Sequence, residues 1–191
     1  MDAATLAVYE HSALEWSERR GRAEDGLGQL FRDRAGSGTV ADLGCGAGRY
    51  LEQLGEAVVG VDATAAMLSL ARARGHPLVR ADLESLPFAD GALAGAFARH
   101  SYLHLPKARF AGALAEVRRV LRPGALLLVT LLEGTYEGHD LPGDDFPGRY
   151  FACWTGEELT ATLAGTGFAQ IHVEEVERRH GRRDLLATAR R

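Results

Sequence analysis

Cysteine is nearly missing from this 191-residue chain, with Cys45 and Cys153 the only two. Two thiols build no disulfide framework and supply too few ligands for a structural zinc centre, so no metal is expected. Long apolar runs are missing too. The longest, ALLLVTLL at 125–132, falls far short of the ~20 residues that a membrane-crossing helix needs. Met1–Arg20 lacks the basic start and apolar stretch of a secretory leader, so a cytoplasmic protein with no membrane contact is expected. Nor is there an excess of positive charge: 22 Lys and Arg face 26 Asp and Glu, a formal net charge of −4. Phosphate neutralisation needs clustered cations, so a nucleic-acid partner is disfavoured. Arginines do gather in the tail ERRHGRRDLLATARR (177–191). Glu174, Glu175 and Glu177 stand beside them, however, and a mixed solvated surface is the expectation.

What is present is an ordinary globular composition, 46% hydrophobic and 25% charged, in a length that suits one domain. No internal repeat and no domain-separating linker interrupts it. Helical spacing runs through Asp2–Ala35, with Leu6, Tyr9, Ala13, Trp16 and Arg20 on one stripe and Leu27, Leu30 and Phe31 on another. Beyond GSG at 36–38 the pattern alternates. Strands are expected at 39–43, 57–62, 77–82, 92–98 and 125–132, with helices at 49–54, 65–74 and 107–121 between them. A loop rich in Gly, Pro and Asp covers 133–149. A helix at 155–167 and two late strands near 169–177 and 184–189 close the chain.

Alternating strands and helices predict an α/β fold, a doubly wound, mostly parallel seven-stranded sheet with helices on both faces. Residues 1–35 would cap a cofactor-binding half at 36–132, and 133–191 would supply a substrate-side lid, a helix and the late strands. In such sheets ligands sit beyond the carboxyl ends of the strands. That places the loops starting at Gly44, Asp62, Asp82, Arg99 and Glu133 around one crevice.

The loop in TVADLGCGAGRYL (39–51) carries Gly44, Gly46 and Gly48 directly behind Asp42. Missing Cβ atoms let backbone approach a ligand and permit positive φ. A phosphate at the helix start is one candidate. A dinucleotide fingerprint would need glycine where Arg49 stands, and Asp42 would repel a pyrophosphate. No G-K-[ST] follows, which excludes a Walker loop. A ligand with a positive centre suits the aspartate better. Asp62 ends VVGVD at the second strand's tip, where one carboxylate can accept from both hydroxyls of a ribose. Its other reading is a cap on the helix starting near Thr64. Asp82 can accept from an exocyclic amine such as adenine N6, or bond its own loop backbone.

These residues resemble the class I S-adenosylmethionine-dependent methyltransferases, in their compact single-domain branch. The matching pieces are VADLGCGAG, VVGVDATAAML, RADLESLPFADGAL and ALAEVRRVLRPGALLLVT, in order across about 40–130. The resemblance implies a Rossmann-like fold and S-adenosylmethionine as cofactor, with S-adenosylhomocysteine as product. It implies that Asp42 and the Gly44, Cys45, Gly46 and Gly48 loop flank the methionine part. Asp62 and Ala63 would meet the ribose, Met67 would pack near the adenine, and Asp82 with Leu83 would meet its edge. Arg99, at the fourth strand's tip in FARHSYLHL, would face cofactor and acceptor together.

Transfer from a sulfonium is an in-line displacement on an activated donor, to which proximity contributes about 7–11 kcal/mol. A base adds about 10²–10⁴-fold where the acceptor must lose a proton. The base candidates are His100, Tyr102 and His104, with His139 in the long loop. Tyr9, Trp16, Tyr136, Phe146, Tyr150 and Trp154 are candidates for an aromatic acceptor pocket, and Trp16 and Trp154 read equally as core. A small-molecule acceptor is expected. The alternatives are an RNA (tRNA) methyltransferase, a non-catalytic S-adenosylmethionine-binding module, and a nucleotide-dependent oxidoreductase that Asp42 and Arg49 oppose.

Overall fold

A computed structural model describes residues 1–177 and 182–191. Arg178 and Arg179 of the arginine-rich tail therefore lie outside the described residues. The strands are β1 (Val40–Leu43), β2 (Val58–Asp62), β3 (Leu78–Arg80), β4 (Leu93–Arg99), β5 (Leu121–Glu133), β6 (Glu137–His139), β7 (Tyr150–Trp154), β8 (Ala169–Glu177) and β9 (Arg183–Arg190). The helices are α1 (Ala3–Arg20), α2 (Leu27–Ala35), α3 (Leu51–Leu54), α4 (Ala65–Ala71), α5 (Lys107–Val120) and α6 (Gly156–Gly165). No described helix is long and apolar enough to cross a membrane.

The sheet runs β3-β2-β1-β4-β5, all parallel. The outer edge of β5 takes antiparallel β9 along 126–132, and β8 follows antiparallel to β9. These are the seven strands that the sequence predicts. Two more arise, β6 within the predicted loop at 133–149 and β7 in the unassigned residues just after it. β7 joins β5 in parallel at Leu132–Glu133, and β6 folds back on β7. The run YFACW has the aromatic and apolar content of a strand, but the glycines, prolines and aspartates before it mask that signal.

Strand residues point alternately to the two faces, and the core divides accordingly. Ala41, Leu127, Val129 and Leu131 meet Phe110, Leu114 and Val117 of α5 and Leu159 and Leu163 of α6. Val40, Leu126 and Leu128 meet Phe31 of α2, Leu51 and Leu54 of α3 and Leu68 of α4. Helices thus cover both faces, as a buried parallel sheet requires. α6 opens with a full capping box between Thr155 and Glu158. The helical stretch predicted over Asp2–Ala35 is two helices, broken between Gly21 and Gly26. α1 leaves the sheet and packs Ala13, with Tyr9 and Trp16, over Ala47 and Met67. It therefore roofs the carboxyl end of β1.

Candidate active site

β1 lies between β2 and β4, so its tip is the centre of the sheet's carboxyl edge. Gly44 turns there with φ +78°, and a Cβ on it would stand 2.2 Å from Ser101 Cβ. Only glycine fits. Gly46 has φ +53°, and a Cβ there would reach only ordinary contact distance from the Trp16 ring (3.7 Å) and Met67 Sδ (3.9 Å). Its bare face meets Trp16 of α1 and Met67 of α4.

The loop's amides are already occupied. Gly44 N and Cys45 N donate to Val61 O at 2.8 and 2.9 Å, and Gly48 N donates to Cys45 O at 2.9 Å. Gly46 N donates to Asp62 Oδ2 at 2.9 Å. A phosphate bound at such a loop needs those N–H groups turned toward it. The phosphate reading therefore loses these four donors.

Asp42 stands behind the loop with 2% of its surface exposed. Its Oδ2 has no hydrogen-bond partner among the described residues. Burial, aided by the nearby Asp62 charge, pushes its carboxyl up to about 8. A buried, orphaned acceptor is costly, and a cationic or N–H-bearing ligand relieves it.

Asp62 is bonded through both of its oxygens at the start of α4. Oδ1 accepts from Thr64 N (2.9 Å) and Thr64 Oγ1 (2.7 Å), while Oδ2 holds the Gly46 amide. Burial raises its carboxyl above the usual range, although those hydrogen bonds pull the other way. Ala63 follows it, half-buried, and Met67 is buried on the α1 side of the loop. Cys45 is buried as well, and burial pushes its thiol well up, so it is an inert packing group.

Asp82 is spoken for differently. It accepts from the Met1 amino group at 2.9 Å and from Glu84 N at 3.1 Å. Burial would raise its carboxyl, but these donors outweigh it and hold it low. The loop-backbone reading of Asp82 is thus present in the structure. Leu83 is buried beside it and its carbonyl accepts from Tyr102 Oη at 3.2 Å.

The other side of the crevice is made at the tips of β4, β5 and β9. Arg99 Nε donates to Tyr50 Oη (3.1 Å), and its Nη1 to Thr130 Oγ1 (3.2 Å) and Asp184 Oδ2 (3.2 Å). Burial would weaken its hold on a proton, but Tyr50 and Asp184 reverse that and keep it charged. His100 Nε2 stands 2.7 Å from Asp184 Oδ2, and its backbone N donates to Thr130 Oγ1 at 2.9 Å.

The four base candidates end in four different places. Tyr102 is core, its hydroxyl tied to Leu83, and burial raises its pKa far above neutrality. His104 is 2% exposed; its Nδ1 donates to Tyr150 O (2.7 Å) and its Nε2 accepts from Tyr9 Oη (2.8 Å). Burial drives its pKa down to about 3, so it stays a neutral structural group. His139 is exposed, with its Nδ1 3.3 Å from Gly148 O. His100 stands beside the Asp184 carboxylate with a partly exposed side chain, while His139 Nε2 lies 3.8 Å from Asp2 Oδ1.

Of the aromatic candidates, Trp154 and Phe146 are buried, Trp154 within the core of the sheet. Trp16 and Tyr9 instead belong to the roof. Arg149 Nη1 donates to Tyr9 Oη at 2.8 Å while the same guanidinium pairs with buried Asp144. Tyr150 N donates to Thr5 Oγ1 at 2.8 Å. These bonds tie α1 to the segment before β7.

Sequence reading missed Asp184, Thr130 and the Arg149 clasp. Asp184 leaves one signal, an acid heading the otherwise apolar strand LLATA, where a buried charge needs a reason. Among the described residues, no three His, Cys, Asp or Glu side chains gather to hold a metal.

Comparison with known proteins adds a further line. The family described as "Methyltransferase domain" matches residues 41–129, just under half of the chain. The probable tRNA methyltransferase 9B of Mus musculus is 30% identical over 125 residues, 64% of this chain and 28% of that protein. The O-methyltransferase resE of Aspergillus sclerotiorum is 29% identical over 155 residues, 72% of this chain and 57% of that protein. The chain thus spans well under two thirds of either relative. In fold, it is similar to the 1,6-didemethyltoxoflavin-N1-methyltransferase of Burkholderia thailandensis, solved with S-adenosylhomocysteine: TM-score 0.76 at 22% identity, over 99% of this chain and 88% of that one.

Proposed function

We propose that the chain is a class I S-adenosylmethionine-dependent methyltransferase that carries the methyl group to a small-molecule acceptor. The observation that carries the cofactor site is the orphaned Asp42 carboxylate behind a glycine loop whose amides are already bonded. A zwitterionic, sulfonium-bearing ligand supplies what that oxygen lacks. The group therefore fits the residues present. Asp42, Gly44, Cys45, Gly46 and Gly48 would border its methionine part; Asp62 and Ala63 would meet the ribose, with Met67, Asp82 and Leu83 toward the adenine. S-Adenosylmethionine supplies an activated methyl group, and the chain's contribution is to hold donor and acceptor in line.

Residues 1–35 would act as the cap, 36–132 as the cofactor half and 133–191 as the acceptor side. The small-molecule reading rests on the acidic balance of the chain and on the O-methyltransferase likeness. An RNA acceptor is the second reading, favoured by the likeness to tRNA methyltransferase 9B. Calorimetric titration with S-adenosylmethionine, S-adenosylhomocysteine and NADH tests the cofactor. Micromolar binding of the adenosyl ligands alone is expected, and binding of NADH alone would defeat the reading. Retention of tRNA that survives physiological salt would move the acceptor to RNA.

A further inference from the structure

The end of the sheet opposite the crevice carries a different charge. β9 runs antiparallel to β5, so Asp184 lies at the carboxyl edge and Arg190 at the amino edge. At ~3.3 Å per residue the two stand about 20 Å apart. At the amino edge the C-terminal turn of α2, the loop at 36–38, the start of β5 and the end of β9 meet. Arg122 Nη2 donates to Ser37 O at 2.8 Å, and Arg32 Nη1 to Gly38 O at 3.0 Å. Arg190 Nη1 donates to Gly124 O at 2.8 Å and its Nη2 to Arg34 O at 3.4 Å. Arg32, Arg34, Arg122 and Arg190, far apart in the chain, thus share one small surface.

Among the described residues none of these four forms an ion pair, whereas Arg20, Arg109, Arg119 and Arg149 each meet a carboxylate. Arg34 and Arg122 are exposed, and Arg32 and Arg190 are partly so. The backbone carbonyls they meet use at most two nitrogens of any one guanidinium, which leaves at least three of its five N–H groups uncommitted. Asp33 stands between Arg32 and Arg34 in sequence, but its Oδ1 accepts from Gln29 Nε2 at 2.8 Å, one turn back along α2. Arg191 adds a guanidinium, bonded to Leu121 O, and a terminal carboxylate, which cancel. Acids gather at the other end of the strands, where Asp42, Asp62, Asp82 and Asp184 stand. The net charge of −4 therefore averages two unlike edges.

We propose that this amino-edge cluster of arginines is a docking surface for the phosphate backbone of a nucleic-acid duplex. All four cations are guanidiniums, whose planar fork matches the oxygens of a phosphate in pairs. The segments that form the surface offer no exposed aromatic ring, since Phe31 of α2 is buried. Bases therefore have nothing to stack on, and contact goes to phosphates without regard to sequence. A duplex carries one charge per ~1.7 Å of axis, denser than a single strand, and is the better match for a purely ionic surface. A lipid surface would take an apolar face beside the cations. These segments expose one large apolar side chain, Leu30. The crevice lies at the other edge, so the duplex is a partner and not the acceptor, and the inference stands apart from the proposed function. Retention here fades as salt rises, unlike retention of an RNA acceptor that survives physiological salt.

Fluorescence anisotropy of a short labelled RNA duplex of mixed sequence, titrated with the full chain, tests this without cofactor or acceptor. Four phosphate contacts give a slope of log K against log[KCl] of about −3 to −4, or about a 100-fold loss of affinity between about 50 and 200 mM KCl. Arg34→Gln combined with Arg122→Gln is expected to lower affinity at least about tenfold in the dilute salt and to flatten the slope by about 2. Arg34→Gln alone, at a side chain with no bond in the protein, should flatten it by about 1 and keeps the test open if the double variant misfolds by circular dichroism. Arg72→Gln with Arg80→Gln removes as much charge at the β3 edge and should change affinity less than about twofold. Absence of duplex binding in dilute salt overturns the proposal, as do equal losses in the two double variants. A single strand of the same length that binds as tightly as the duplex overturns it too. So does displacement of the duplex by poly-glutamate or by phosphatidylserine vesicles at matched charge, which would assign the surface to an acidic protein or a membrane.

Discussion

The two halves of the crevice are built by opposite means. Around Asp42 and Asp62 the site is a short stretch of backbone, bent by glycines and pinned by its own amides to the next strand. Around Arg99 and His100 it is a set of side chains from β4, β5 and β9 that meet only after the whole sheet has formed. On the proposed function the first half would accommodate one constant ligand, for which a local motif suffices. The second would suit a particular acceptor, and side chains from distant parts of the chain can change there without disturbing the loop.

Substitutions can break that contrast. The largest effect is expected at Gly44. Valine there would drive a Cβ into Ser101 in a backbone conformation that side chains resist, and both the thermal transition and S-adenosylmethionine binding should collapse. Gly46→Val is the sharper companion, because its Cβ meets protein only at ordinary contact distance. It should stay folded by circular dichroism and lose ligand binding in calorimetry. Binding that survives Gly46→Val would mean that the ligand keeps away from the loop.

Next in size is Asp62→Ala, which removes the proposed ribose acceptors and the tether on the Gly46 amide together. Affinity for S-adenosylmethionine should fall about 10- to 100-fold. Asp184→Asn, on the other side, should leave that affinity within about threefold. A large loss of affinity in Asp184→Asn would show that the halves are not separable.

The smallest effect concerns pH. The fold favours the neutral Asp42 carboxyl, raised from 3.8 to about 8, so the native protein keeps a proton that the unfolded chain releases. Stability from this group is therefore full below about pH 4 and declines as pH rises toward 8. Asp42→Asn should flatten the fall of Tm between pH 5 and pH 8.5. A cationic ligand restores the carboxylate, so S-adenosylmethionine binding near pH 7 should release up to about one proton. Calorimetry in buffers of different ionisation enthalpy reads that directly.

The same contrast explains what could be read in the chain beforehand. Asp42, Gly44, Gly46 and Asp62 lie within about twenty positions, and their spacing reports on a strand-loop-helix unit that local chemistry dictates. The parallel order of β1 to β5 follows from the alternation and the crossover rule. Asp184 could not be paired with His100 in this way, because their contact depends on how β9 aligns with β5, seven residue pairs long. Nor could Tyr9 be matched to His104 and Arg149, 95 and 140 positions away. β7 was hidden by the turn-forming residues that precede it. His104 was indistinguishable from His100 by residue type, and burial separates them.

The clasp on α1 has a kinetic meaning. Tyr9 is held at once by His104 and Arg149, Thr5 by the Tyr150 amide, and Trp16 rests over the bare face of Gly46. A ligand lodged between that face and the helix leaves only when several bonds open together. Its residence time is then set by the clasp and not by its own contacts. Turnover under saturating acceptor would be paced by departure of the spent adenosyl product. Tyr9→Phe should accordingly speed dissociation of S-adenosylhomocysteine in stopped-flow displacement, with little change in the rate of a single turnover.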